Sequence, residues 1–257
     1  MTTDSPFDIL ADEYDAVRAG YVPELIEDVL AFADLGEHEP VLEVGCGPGT
    51  ATRLFAPRVA RLTAVEPSAR FVEIVRSNMV AHAHVDIVHG RFEEWDGPAS
   101  QYGLLFGARS FQWMPPDTRF TKPARHLRRG GTLALFWHWP VIEPACLLTE
   151  IQDASDEFWP PRSSGTGLRG AEERIATWQK RFRSTEAFTE PELRCYPWSR
   201  TYDVATFIRL MNTWPLHRHL NESDRKGLEE RVRAIFERRG STAVGAYQTA
   251  LFLARRR

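Results

Sequence analysis

The sequence predicts an α/β domain built on a doubly wound, mainly parallel sheet. Three observations predict it. Short apolar runs alternate with segments of helical period from residue 23 to residue 139. The first run ends in a glycine-rich turn that opens a helix, and an acidic residue closes the second run about twenty residues later.

Taken in order, residues 23–33 place Leu25, Ile26, Val29, Leu30 and Phe32 at helical spacing, with Pro23 in the first turn. The run 41–44 reads as a buried strand, 50–58 as a helix and 61–65 as a second strand. Residues 69–80 are again helical, and strands are expected at 85–88, 102–106 and 132–137. A helical 117–128 precedes Gly130-Gly131. After Trp139 the pattern changes. Helical patches in 140–192 are broken by Trp159-Pro160-Pro161 and by the run 163–167, which suggests a cap with a mobile loop. Helices are expected at 203–213 and 222–239, and a last strand at 245–254. The chain thus divides into 1–139, an N-terminal lid and ligand-binding half; 140–195, the cap; and 196–257, which completes the sheet.

Composition narrows the function classes. The 257 residues are 43% hydrophobic and 26% charged, an ordinary globular balance. A formal charge of −3 gives no electrostatic case for a nucleic-acid partner. The three cysteines are too scattered for a disulfide framework or a metal cluster, so no metal ligands are expected. The acidic start lacks the features of a signal peptide, and no apolar run approaches membrane length. A cytoplasmic protein without a membrane partner is the expectation.

The segment Val41-Leu42-Glu43-Val44-Gly45-Cys46-Gly47-Pro48-Gly49-Thr50 carries the chemistry. Glycines allow the backbone to come within contact distance of a ligand, and Glu66 is placed to accept ribose hydroxyls. Two cofactors fit that much. A nicotinamide fingerprint, however, wants Gly or Ala where Thr50 stands, and Glu43 would repel a pyrophosphate while it can pair with an ammonium group.

On these residues the chain resembles the class I S-adenosylmethionine-dependent methyltransferases. Their E-x-G-x-G-x-G motif is matched by Glu43, Gly45, Gly47 and Gly49, and their ribose ligand by Glu66. The segment Gly90-Arg91-Phe92-Glu93-Glu94-Trp95 matches the adenine loop, with Arg91 where the family often has Asp. The likeness is nearest to the small-molecule branch that includes trans-aconitate methyltransferase, through Tyr14, Arg18, Gly20, Tyr21, Pro23, the segment 110–113 and Gly130-Gly131. It implies a Rossmann-like sheet of seven strands with the last antiparallel, S-adenosyl-L-methionine as cofactor and a small-molecule acceptor for O-, carboxyl or C-methylation. It leaves the oligomeric state open. The cofactor-binding residues it implies are Tyr14, Arg18, Glu43, Gly45, Cys46, Gly47, Gly49, Glu66, Pro67, Arg91, Phe92, Glu93, Ala108 and Trp113.

His138, His217 and Tyr21 are the catalytic candidates, with His219 beside His217 as a further possible base. Trp113, Phe111, Trp137 and Trp139 can either form an aromatic wall around a sulfonium or pack under the cap. The alternatives to methyl transfer are a nicotinamide-dependent oxidoreductase and a catalytically silent binding module of the same fold.

Overall fold

The alternation read from the sequence becomes a sheet with helices on both faces. The computed structural model describes residues 17–143, 146–158, 170–214 and 220–257. Helix α1 (Pro23–Ala33) leads to β1 (Val41–Val44), α2 (Thr52–Phe55), β2 (Leu62–Glu66), α3 (Ala69–Asn78) and β3 (Val85–His89). Then come β4 (Tyr102–Ala108), α4 (Thr121–His126), β5 (Leu127–Pro140), α5 (Leu147–Asp156) and α6 (Ala171–Arg183). The chain ends with β6 (Glu192–Asp203), α7 (Val204–Asn212), α8 (Glu222–Arg238) and β7 (Thr242–Arg255). The seven strands lie in the order β3-β2-β1-β4-β5-β7-β6. β1 to β5 run parallel, and β7 is antiparallel to both β5 and β6. The order reverses between β1 and β4, where open sheets of this kind leave a crevice beyond the strand ends.

Local chemistry sets the helix ends. Pro23 occupies the first position of α1, where its missing N–H costs nothing. Ser68 caps α3 by accepting from the Phe71 N–H at 3.2 Å. Asp203 and Asn221 cap α7 and α8 by accepting from the Thr206 and Asp224 N–H groups at 2.7 and 2.9 Å.

Strand β5 shows how the layers form. Leu133, Leu135, Trp137 and Trp139 join Trp178 and Phe182 of α6 and Phe252 of β7 on one face. Ala134 and Phe136 turn the other way, against Phe106, Phe55 and the α1 residues Leu25 and Ile26. Each large apolar side chain removed from water contributes about 1.5–3 kcal/mol. A separate apolar cluster unites α5, α7 and α8 through Leu148, Ile151, Phe207, Met211, Val232 and Phe236, with Val17 of the N-terminal segment.

Three differences from the sequence reading have physical causes. Residues 193–202 were given no element, yet they form most of β6; Pro197 is tolerated because β6 is an edge strand. The helix expected over 117–128 shortens to α4 because Leu127 already pairs with Tyr102 in the sheet. The segment 140–195 also divides. Helix α5 packs in one cluster with α7 and α8, whereas α6 covers the sheet. The expected mobile loop at 163–167 lies outside the described residues. Among the described residues, no helix is long and apolar enough to cross a membrane, and no group of three His, Cys, Asp or Glu residues could hold a metal.

Candidate active site

The site is built where β1 ends. Gly45, Gly47 and Gly49 all have positive φ, at 69°, 57° and 92°. Their side-chain positions differ in meaning. A Cβ on Gly45 would stand 2.6 Å from Ser110 Cβ, and one on Gly49 would stand 2.8 Å from Val75 Cγ2, so both glycines permit close packing. A Cβ on Gly47 would meet nothing within 4 Å. Gly47 therefore presents bare backbone to open space, the form of a cradle for a ligand.

Two carboxyl groups support this turn. Glu66, only 4% exposed at the end of β2, accepts from the Gly47 N–H at 2.8 Å with Oε2 and from the Ser68 N–H at 2.9 Å with Oε1. A carboxylate oxygen accepts more than one hydrogen bond, so this grip is compatible with ribose hydroxyls on the same oxygens. Glu43 is 0% exposed. The Thr52 hydroxyl donates to its Oε2 at 2.7 Å, and its Oε1 has no hydrogen-bond partner among the described residues. Burial pushes its pKa from 4.5 to about 8; the Thr52 bond opposes the shift and the Glu66 charge adds to it. The anion expected there is thus mainly the neutral acid at neutral pH. Burial also pushes up the Cys46 thiol, which leaves Cys46 a small turn residue rather than a nucleophile.

The segment 90–95, expected to meet adenine, is more closed than expected. Phe92 is buried, with its ring centroid 5.6 Å from that of His126 and 6.2 Å from that of Trp95, so it serves as core beneath the loop. Arg91 pairs with Glu93 and reaches Glu94 at 3.6 Å. Lys122 Nζ donates to the Glu93 carbonyl at 3.1 Å, and a His89 ring nitrogen lies 3.2 Å from the Pro67 carbonyl. The Gly90 N–H donates to the Glu66 carbonyl at 3.0 Å, which ties this loop to the end of β2.

Above the ends of β4 and β5 the residues form a different kind of assembly. The His138 Nε2–H donates to the Gly20 carbonyl at 2.9 Å, and its Nδ1 accepts from the Thr249 hydroxyl at 2.7 Å. Thr249 in turn accepts from the Trp198 Nε1–H at 3.0 Å. The carbonyl can only accept, which fixes the tautomer and occupies both ring nitrogens. Burial and the nearby Arg109 hold the His138 pKa well below 6.5. Both nitrogens of His138, the expected general base, are thus engaged, and the residue ties the N-terminal segment to the sheet. Tyr21 stacks 4.5 Å from the His138 ring and stands edge-on to Phe136, with the Arg109 guanidinium 5.5 Å from its ring centre.

Arg18 does not stand in the crevice as an open cation. It donates to the Thr213 hydroxyl at 3.0 Å and to the Thr213 carbonyl at 3.2 Å. Arg200 donates to the Val17 carbonyl at 3.0 Å and lies 5.2 Å over the Tyr202 ring. Trp137 stacks on Trp139 at 5.3 Å and on Trp178 at 4.3 Å, beneath α6, so these tryptophans and the fully buried Phe111 are core rather than cage. Trp113 alone of that group is exposed, at 56%, close to Ala108 at the lip of β4. Tyr14, His217 and His219 lie outside the described residues. The sequence reading missed Thr52, Arg109, Trp198, Arg200 and Thr249. Ser110 lies two residues beyond the end of β4, and its hydroxyl donates to the Val44 carbonyl.

Comparison with known proteins agrees with this geometry. Residues 41–131 match the family model described as a methyltransferase domain. The trans-aconitate 2-methyltransferase of Azoarcus sp. (strain BH72) is 36% identical over 111 residues, 42% of this chain and 42% of the relative. That of Rhizobium meliloti (strain 1021) is 29% identical over 150 residues, 57% of each chain. The chain thus aligns with only about half the length of these relatives. Among solved structures, the phosphoethanolamine N-methyltransferase 2 of Haemonchus contortus, in complex with phosphomonomethylethanolamine and S-adenosylhomocysteine, superposes with a TM-score of 0.55 at 12% identity. That match covers 97% of this chain and 57% of that one. The [4+2]-cyclase SpnF superposes with a TM-score of 0.56 at 17% identity over 97% of this chain and 93% of its own. The fold is that of the Rossmann-like methyltransferases, and fold alone does not choose the reaction.

Proposed function

We propose, on the premise that residues 41–131 form a class I methyltransferase domain, that the chain transfers a methyl group from S-adenosylmethionine to a small acceptor bearing a carboxylate. The observation that carries this reading is the Gly47 cradle gripped by Glu66 at 2.8 Å, open on the side where a Cβ would point. The residues fit the cofactor: Glu66 for the ribose, the backbone of 45–49 for close approach, and the unpartnered Glu43 Oε1 for a cationic end. When bound, the cofactor supplies a methyl group already activated by a sulfonium.

The chain's own part is to bind, align and exclude water. Holding two reactants in line can supply about 7–11 kcal/mol of the barrier. The acceptor side is basic and aromatic. Arg109 and Arg18 both act electrostatically on His138, and Arg18 and Arg200 on Tyr202 and Tyr247. Positive charge at this end favours an anionic acceptor, and the likeness to trans-aconitate 2-methyltransferases supports the same class. A carboxylate is already ionised near neutrality, so attack on the methyl group needs no proton removal, in keeping with a saturated His138.

The test is incubation with labelled S-adenosylmethionine and a panel of small carboxylic acids, trans-aconitate included, beside their amides. Label is expected in esters of the acids and absent from the amides. Transfer to the amides, or none to any acid by protein that binds S-adenosylhomocysteine, would overturn the acceptor class.

A further inference from the structure

Arg109 holds a backbone conformation that its side chain does not favour. Four non-glycine residues among the described ones have positive φ: Asp34, Ser100, Arg109 and Ser241. The other three carry short polar side chains and lie in connections between elements. Arg109, at 57°, is the long one, and it directly follows β4. Glycine would adopt this conformation without a steric penalty, as Gly45, Gly47 and Gly49 do beyond the neighbouring strand β1. The surroundings hold the turn in place. The Arg109 N–H donates to the Phe136 carbonyl of β5 at 2.9 Å, and its carbonyl accepts from Gln112 Nε2 at 2.6 Å. Gln112 Oε1 in turn accepts from the Trp137 Nε1–H at 2.7 Å, and the hydroxyl of Ser110 donates to the Val44 carbonyl at the end of β1. The half-buried arginine thus stands where the strand order reverses, with its guanidinium 5.5 Å from the centre of the Tyr21 ring.

We propose that Arg109 is the residue that recognises a carboxylate of the acceptor, and that its strained backbone is kept because it fixes the guanidinium at the crevice. The inference rests on the methyltransferase reading with an acidic acceptor and adds to it the side chain that sets acceptor specificity. Strain of this sort persists at binding sites when the surrounding structure over-determines it, as the Phe136, Gln112 and Ser110 bonds do here. An aromatic ring meets the face of a guanidinium, whereas the donors lie in its plane. One arginine can therefore lie over Tyr21 and meet both oxygens of a carboxylate. The other two cations at this end are fasteners: Arg18 donates twice to Thr213, and Arg200 donates to the Val17 carbonyl.

The experiment is calorimetric titration of the whole chain, saturated with S-adenosylhomocysteine, with trans-aconitate and the other acids of the panel above. Thermal melting of each variant is read alongside. Arg109→Gly should bind the acid about 10–100-fold more weakly, through loss of charge-assisted hydrogen bonds. It should keep S-adenosylhomocysteine affinity within about twofold and melt at the native temperature or higher, because glycine relieves the strain. Arg109→Lys keeps the charge without the planar fork and should recover only part of the acid affinity. Acid binding unchanged in Arg109→Gly would overturn the proposal. So would a loss of S-adenosylhomocysteine affinity as large as the loss for the acid, which would place Arg109 on the cofactor. A lower melting temperature for Arg109→Gly would make the side chain a support of the fold, and would overturn it as well. If the native chain binds S-adenosylhomocysteine but no acid of the panel, the acceptor reading itself falls and this inference falls with it.

Discussion

The ends of β1 and β2 and the ends of β5 and β7 both bury polar side chains, and they use them in opposite ways. At the first place, Glu66 meets backbone N–H groups and Glu43 keeps an oxygen that nothing answers among the described residues. At the second, Trp198, Thr249, His138 and the Gly20 carbonyl form a chain in which each donor meets an acceptor. The first region leaves an acceptor unfilled among the described residues. The second is satisfied along this chain and fixes geometry instead. The same sheet thus separates recognition from scaffolding by how fully its polar atoms are satisfied.

The comparison breaks most visibly through pH. Glu43 has a folded pKa of about 8 against 4.5 for the exposed group. Its neutral form stabilises the fold fully below pH 4.5, and that stability is lost as pH rises through 8. The ligand-free protein should lose on the order of 4 kcal/mol of stability across this window from Glu43 alone. Glu43→Gln should flatten the profile, which denaturant unfolding at stepped pH will show. A Glu43→Gln profile as steep as the native one would place the loss elsewhere.

Glu66→Ala removes the acceptor of two backbone N–H groups and the ribose ligand together. S-adenosylhomocysteine should bind about 100-fold more weakly, since hydrogen bonds to charged groups contribute about 1.5–3 kcal/mol each. Isothermal calorimetry measures this directly, and unchanged affinity would remove Glu66 from the site.

The network at β5 should respond differently. Thr249→Val leaves the Trp198 N–H and the His138 Nδ1 unanswered, so it should cost about 1–3 kcal/mol in stability with little change in cofactor affinity. His138→Gln should lower kcat by less than about tenfold and leave the shape of the pH–rate profile intact. A general base would instead be worth about 10²–10⁴-fold, with its titration visible as a limb of that profile.

How much of this was legible in the sequence follows the same division. Gly45, Gly47, Gly49 and Glu66 could be read because their roles are set within a strand, a turn and the next strand. The parallel part of the sheet was legible for a similar reason, since β1 to β5 alternate with helices in order, whereas the count of seven strands came from the family resemblance. The bonds of His138 were not legible because its partners lie at residues 20 and 249, and only the register of β5 on β7 brings Thr249 opposite it. For Trp137 and Trp139 the sequence left cage and core both open, and strand alternation decides for core by turning them away from Tyr21, onto α6. Strand β6 escaped notice because an edge strand with Pro197 and exposed charges shows no buried run. Glu43 was read as an anion because burial, which decides its ionisation, is a property of the folded chain.

The most direct test of the division is a crystal structure of the chain with S-adenosylhomocysteine. The expected result is a ligand lying over Gly47 with both ribose hydroxyls on the Glu66 carboxylate, while the His138 hydrogen bonds to Gly20 and Thr249 stay in place. A ligand seated elsewhere, or a His138 ring that leaves Thr249 to face the ligand's sulfur, would contradict it.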